Sequence, residues 1–390
     1  MIKREITHII AEYQRSFPVL VFTGARQTGK TTLLKELFPE YRYINLEEVS
    51  TYSMVKADIA SVVNANTQNV IIDEVQRIPE LMSQIQAAAD SQKNMGSYIL
   101  SGSQNLLLSE RISQSLAGRA AYIELPGLTL AELAGHKDSG DLYARIFAGF
   151  YPAVYDRKIS PPIYYDQYLA TYVERDVRSL KNITNLDAFR EFLGMLAGAV
   201  GRPFNASAIA GNIGVSVPTV QNWLSVLEAT YIIFKLRPYY RSIGKQITKT
   251  PKIYFYDTGL LCRLLGITAK DSLETHYLIG SIYENLIISD VKKTIMNRKS
   301  FEKLFYYRDK YFEVDLIVNS GITYRPVEIK KAMTYTSSFT KGLKYWSDTF
   351  GGNDVQVLLP HIVYGGETQE AGSKFRLVNW KDAAQSLLLR

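Results

Sequence analysis

Residues Gly24, Ala25, Arg26, Gln27, Thr28, Gly29, Lys30 and Thr31 match G-x-x-x-x-G-K-[ST]. They follow an apolar run, Val19-Leu-Val-Phe-Thr23, and open the helical-looking stretch Lys30-Thr-Thr32-Leu-Leu. That is the context a phosphate-binding loop requires: glycines let backbone N–H groups close around phosphate, and a helix N-terminus adds free donors and a positive dipole end. Lys30 is expected to reach the β/γ-phosphates of ATP and the Thr31 hydroxyl to ligate Mg²⁺. Downstream, "NVIIDEVQRIP" ends an apolar strand on Asp73 and Glu74. Asp73 is placed to hold the metal through water, and Glu74 to orient and deprotonate an attacking water, which favours hydrolysis over phosphoryl transfer to a small molecule. Ser103, or else Ser101, stands at the next strand end and could sense a γ-phosphate. Arg119, and more remotely Arg111, could act as an arginine finger in a neighbouring subunit, or be a surface arginine.

A second chemical centre lies near the C-terminal end. "YFEVDLIVNSGITYRPVEIKKA" (311–332) reads as a hairpin turning at Ser320-Gly321. If Asn319 pairs with Ile322, Glu313 stands opposite Glu328 and Asp315 opposite Pro326. Side chains alternate, so Glu313, Asp315, Glu328 and Lys330 share one face, with Val314, Leu316, Val318, Val327 and Ile329 on the other. Such a cluster of acids needs a cation or solvent, and a divalent ion bound through oxygen would serve. His8, His136, His276 and His361 offer no pair at ligand spacing, which argues against zinc.

Between these centres lies a candidate nucleic-acid surface. "NASAIAGNIGVSVPTVQNWLSVLEA" reads as two helices around a turn at Gly214, with Ser216 as cap and Pro218 in the first turn of the second helix. It is followed by Lys235, Arg237, Tyr239, Tyr240, Arg241, Lys245, Lys249 and Lys252, with no acid among them. Basic residues interleaved with aromatics suit phosphate contact and base stacking, though a module used purely for packing fits the same pattern.

The elements that position these groups follow from the apolar pattern. Strands at 19–24, 41–48, 69–74, 97–103 and 120–128 alternate with helices, which predicts an α/β parallel sheet with helices on both faces. Residues 128–200 read as mostly helical and Tyr-rich, and α/β character returns near 276. The formal net charge is +7, and residues 151–270 hold 15 basic against 8 acidic residues, so the positive excess sits in the middle third. A single cysteine, Cys262, excludes an internal disulfide framework. Without a secretory signal or a long apolar run, a cytoplasmic protein is expected.

The order "TGARQTGKTTLL", "VIIDEVQRIP", "LSGSQ", "SLAGR" and "ELPGLTLAEL", followed by "KTPKIYFYDTGLLCRLLG", "GSIYENLI", "EVDLIV" and "VEIKKA", resembles the AAA+ superfamily ATPases of bacteria and archaea that carry a C-terminal domain of unknown function. The resemblance implies an AAA+ ATPase core (1–127), a helical lid (128–200), a winged helix-turn-helix (201–262) and a restriction-nuclease-like end (263–390). Asp315, Glu328 and Lys330 resemble the PD-(D/E)XK nuclease core, with "VD" in place of "PD" and Glu284 matching its helical acid. In that reading Glu284, Asp315 and Glu328 hold Mg²⁺, and Lys330 orients water or stabilises charge. The implied partners are ATP and DNA or another nucleic acid, with a homo-oligomer open. The alternative is an ATP-gated binding or assembly module with an inert C-terminal fold.

Overall fold

The computed structural model describes all residues except 1, 67, 93, 103–115, 137–139, 173–182, 184, 241–249, 353, 372 and 389–390. Ser103, Arg111, Arg241, Lys245 and Lys249 therefore lie outside the described residues. The five N-terminal strands are β1 (Val19–Thr23), β2 (Arg42–Asn45), β3 (Val70–Asp73), β4 (Tyr98–Ser101) and β5 (Ala120–Glu124). They form one all-parallel sheet in the order β2-β3-β4-β1-β5. β1, β3 and β4 are buried along their whole length, as continuous apolar runs in a sheet covered on both faces must be. Alternate residues feed two cores: Val19, Val21, Ile44 and Ile72 on one face, Leu20, Phe22, Ile71 and Ile99 on the other.

Beyond Pro126 the chain is helical, and its tyrosines pack on one another. Tyr151, Tyr164, Tyr165 and Tyr168 are buried with ring centroids 4.9–6.2 Å apart. The two helices Ala206–Ile213 and Val217–Ala229 form as expected. Asn205 caps the first, Gly214 ends it with a left-handed φ of 70°, and Ser216 caps the second.

The remaining strands are β6 (Ile233–Pro238), β7 (Lys252–Phe255), β8 (Lys303–Arg308), β9 (Glu313–Ser320), β10 (Thr323–Ile329), β11 (Gln356–Val357), β12 (His361–Tyr364), β13 (Gln369–Ala371) and β14 (Phe375–Asn379). They build a second sheet in the order β13-β14-β12-β10-β9-β8-β6-β7, with β11 also on β10. β6 pairs with β7 in a hairpin and with β8 in parallel, so the ribbon that follows the two helices is part of the C-terminal sheet. One apolar core runs from Leu128 through Trp223 and Ile253 to Leu388.

The β9–β10 register corrects the expected one. Ser320 pairs with Thr323 and Asn319 with Tyr324, so the loop is Gly321-Ile322 and every pairing moves by two residues. A shift of two by itself preserves the faces. The β8–β9 pairing, however, is irregular between Val314 and Ile317, so Val314 packs with Tyr307 and Ile317 and not, as expected, with Leu316, Val318, Val327 and Ile329. The shift also changes the partner: the next pair in the observed register sets Asp315, not Glu313, opposite Glu328.

Candidate functional site

The nucleotide centre is built at the C-terminal ends of β1, β3 and β4. Gly24 has a φ of 139°, and a Cβ there would lie 2.3 Å from the Leu125 carbonyl oxygen, so only glycine fits. Gly29 precedes the helix Lys30–Leu37 at a φ of 90°, and no side chain caps that helix. Its first N–H groups therefore remain available to an anion. Lys30 is buried, and its ammonium donates to the carbonyls of Gly24 at 2.9 Å and Ala25 at 2.8 Å. Burial lowers its pKa to about 8, against the opposing charges of Glu74 and Asp73. Thr28 is buried and donates to Ala25 O. Gln27 and Thr32 are exposed, and Arg26 lies 3.8 Å from Glu47.

Strand β4 separates β1 from β3, yet the Thr31 hydroxyl reaches across it to donate to Asp73 Oδ2 at 2.7 Å. Ser101, at the end of β4, donates to Asp73 Oδ1. Of the two serines considered from sequence, Ser101 is the one seen at this centre. Glu74 stands beside Asp73 with a φ of 57°, a costly conformation for a non-glycine residue, and accepts from Gln76. Burial, then the Asp73 charge, raises its pKa, which suits a base. These residues fit ATP with Mg²⁺: the uncapped helix start leaves donors for phosphate, and the two oxygens that would share a metal shell already touch. Arg119 is half-buried, in an ion pair with Asp90.

Three contributors escaped the sequence. Tyr43 on β2 donates to Asp73 Oδ2 at 2.6 Å. Its clue was its place two residues before Asn45, which pairs with Asp73. Arg4 is buried and donates to Thr28 O at 2.9 Å, Pro126 O at 2.7 Å and Glu132 Oε1 at 3.0 Å, bracing the loop from outside the motif. Ala25 packs with Tyr231 and Met296, while the Tyr231 hydroxyl lies 3.2 Å from Thr23 Oγ1 and donates to Glu124 at 3.0 Å. The phosphate loop thus touches both the residues after the second helix and the long helix Ile279–Arg298.

The C-terminal acids come together. Lys330 lies 2.6 Å from Glu328 and 3.4 Å from Asp315, and Asp315 accepts the Ile329 N–H at 2.8 Å. Lys252, expected on the basic ribbon, instead points inward. Its ammonium is buried between Glu313 at 2.7 Å and Glu284 at 3.1 Å. Glu284 also accepts from Tyr254. Burial, with the charge of Asp315 adding to it, raises the Glu284 pKa and lifts Glu328 to about 8; Lys252 and Lys330 oppose this. Four carboxylates thus face two ammonium groups, and Glu328 Oε2 is buried without a partner. The excess acid fits a divalent cation. Among the described residues, however, no three metal-binding side chains are placed to hold one ion as they stand, because the lysines occupy the space between the acids.

The expected nucleic-acid surface is reduced. Arg237 and Tyr240 are exposed. Lys235 is half-buried and paired with Glu228 at 2.6 Å. Tyr239 corrects an expectation: it is buried among Phe305, Tyr324, Trp346 and Phe350, so its ring is closed to base stacking. Among the described residues, no helix is long and apolar enough to cross a membrane.

Comparison with known proteins agrees with this layout. An AAA domain model matches residues 16–134, and two domains of unknown function, DUF8612 and DUF4143, match residues 139–271 and 279–382. The chain is 30% identical over 355 residues to the uncharacterized proteins Rv2008c of Mycobacterium tuberculosis and Mb2031c of Mycobacterium bovis, covering 90% of this chain and 77% of each of them. It is 24% identical to the uncharacterized protein MJ1544 of Methanocaldococcus jannaschii, over 77% of this chain and 72% of that one. Among solved structures, the Walker-type ATPase PABY2304 of Pyrococcus abyssi aligns with a TM-score of 0.47 at 14% identity, over 68% of this chain and 96% of that one.

Proposed function

The chain belongs to the same family as the mycobacterial proteins Rv2008c and Mb2031c, and on that premise and its AAA domain we propose that it binds and hydrolyses ATP. The contact between Thr31 and Asp73 across β4, with Glu74 beside it, carries this reading. Lys30 and the Gly24–Thr32 backbone bind phosphates, Thr31 and Asp73 hold Mg²⁺, and Glu74 takes a proton from the attacking water. Mg²⁺, when bound, neutralises phosphate charge. Arg119 is a finger only if a neighbouring copy frees it from Asp90. Phosphate release tests the reading: Lys30→Ala should lose both binding and turnover. Glu74→Gln should keep ATP binding while turnover falls on the order of 10²-fold or more. Turnover unchanged in both variants refutes it.

We further read 1–127 as the ATPase core, 128–200 as a lid, 201–262 as a winged helix and 263–390 as a nuclease-like unit. ATP state would pass to the last two through the packing of Ala25 on Tyr231 and Met296, and would govern nucleic-acid contact by Arg237 and Tyr240. Metal-dependent cleavage at Glu284, Asp315, Glu328 and Lys330 is one outcome of that coupling. The second reading, an ATP-gated binding module without cleavage, is favoured by Lys252 lying between the acids. DNA cleavage in Mg²⁺ or Mn²⁺, lost in Glu328→Ala, selects the first; no cleavage in any nucleotide state selects the second.

A further inference from the structure

A broad cavity of about 710 Å³ opens at the other end of β10 from the acids, on the opposite face of the sheet. Arg325 and Arg376 line it, with Ser320, Thr323, Gln385 and Ser386. One nitrogen of Arg325, Nη1, is committed to structure: it donates to the carbonyls of Ser386 at 2.9 Å and Leu387 at 2.7 Å, at the end of the helix Ala383–Leu387. Nε of Arg325 and Nε of Arg376 are buried with no hydrogen-bond partner. Among the described residues, neither guanidinium has a carboxylate within ion-pair distance. Elsewhere in this chain half-buried arginines and lysines sit on acids, as Arg298 does on Glu5 and Lys235 on Glu228.

Two guanidinium groups line one cavity with hydroxyls beside them, and among the described residues no carboxylate pairs with either. Burial, then the Arg376 charge, lowers the Arg325 pKa, and His361, which pairs with Arg376 in the β12–β14 register, is held at about 4 by burial first and by both arginine charges. A guanidinium fork binds tetrahedral oxyanions bidentately, and a dianion would neutralise the pair in one step. A lone carboxylate would satisfy one arginine only. We propose that this cavity binds a phosphate group, held by Arg325 and Arg376, either as free phosphate or as the terminal phosphate of a nucleic-acid strand. The proposal stands independently of the ATPase reading.

The test uses the full chain carrying Lys30→Ala, which removes the lysine of the other phosphate site. Inorganic phosphate is titrated calorimetrically, and the His361 ring protons are followed by NMR near pH 5. Binding should neutralise the arginines, raise the His361 pKa and move its resonance. Arg376→Gln should weaken binding at least tenfold while the fold, checked by its NMR spectrum, is kept. A 5′-phosphorylated oligonucleotide binding more tightly than its 5′-hydroxyl twin identifies the strand end as the source; inorganic phosphate binding alone identifies the free ion. Glu370 stands opposite Arg376 in the β13–β14 register. If phosphate binds only after Glu370→Gln, the chain neutralises its own arginines and the proposal falls. It falls equally if no heat and no His361 shift are seen, or if Arg376→Gln binds as the parent does.

Discussion

Replacing Glu328 by Gln tests the acid cluster where its physics is sharpest. The carboxyl is nine-tenths buried beside Asp315, and its pKa lies at about 8 instead of the ordinary 4.5. A folded-state pKa above the unfolded one means that the site's stability is fully present below about pH 4.5. It is lost progressively as pH rises through 8, at up to ~1.4 kcal/mol per pH unit. Carried over the whole window this gives roughly 5 kcal/mol as an upper bound. Glu284 is raised in the same cluster and shares that shift, so we expect about 2–3 kcal/mol. Gln keeps the shape and cannot ionise. At pH 5 wild type and Glu328→Gln should therefore be similar in stability. At pH 8.5 the variant should be the more stable by about 2–3 kcal/mol. Urea unfolding followed by tryptophan fluorescence reads this out, since Trp346 and Trp380 lie in the C-terminal sheet region. The same excess charge predicts that Mn²⁺ stabilises wild type at pH 8.5 and stabilises the variant less. Parallel pH curves for the two proteins would show that Glu328 is ionised throughout and that the cluster is already neutral.

Other outcomes follow from single contacts. Gly24→Ala forces a Cβ to 2.3 Å from Leu125 O at a φ of 139°, and should cost about 2 kcal/mol or more in a thermal melt; an unchanged melt would mean that the loop adopts another path. Arg4→Met leaves Glu132 buried without its cation, costing about 3–5 kcal/mol. Adding Glu132→Gln should restore much of that loss, and additive losses in the double variant would deny the pairing. Tyr43→Phe removes one of the donors that orient Asp73, and should lower ATP turnover about tenfold; turnover equal to wild type would make Tyr43 a packing residue only.

The phosphate loop, the Asp73–Glu74 strand end, the parallel sheet and the capped helices around Gly214 were legible in the sequence. Each depends on residues close along the chain, where spacing alone fixes geometry. The meeting of Asp315, Glu328 and Lys330 was legible for the same reason, because alternation along β10 survives a two-residue error in register. The irregularity in the β8–β9 pairing was not, and it takes Val314 out of the core that holds Leu316, Val318, Val327 and Ile329. The partners of those groups were not. Tyr43 and Arg4 reach the nucleotide centre across 30 and 24 residues of chain. Lys252 reads as one more cation of a basic run until β6 pairs with β8 and the ribbon turns it toward Glu284. Tyr239 reads as an exposed stacking ring until the same sheet closes over it. Sequence determined which groups do chemistry and on which face of their own element they stand. Tertiary packing decided which of them meet, because contact across strands depends on sheet order and core closure, and neither is encoded in local spacing.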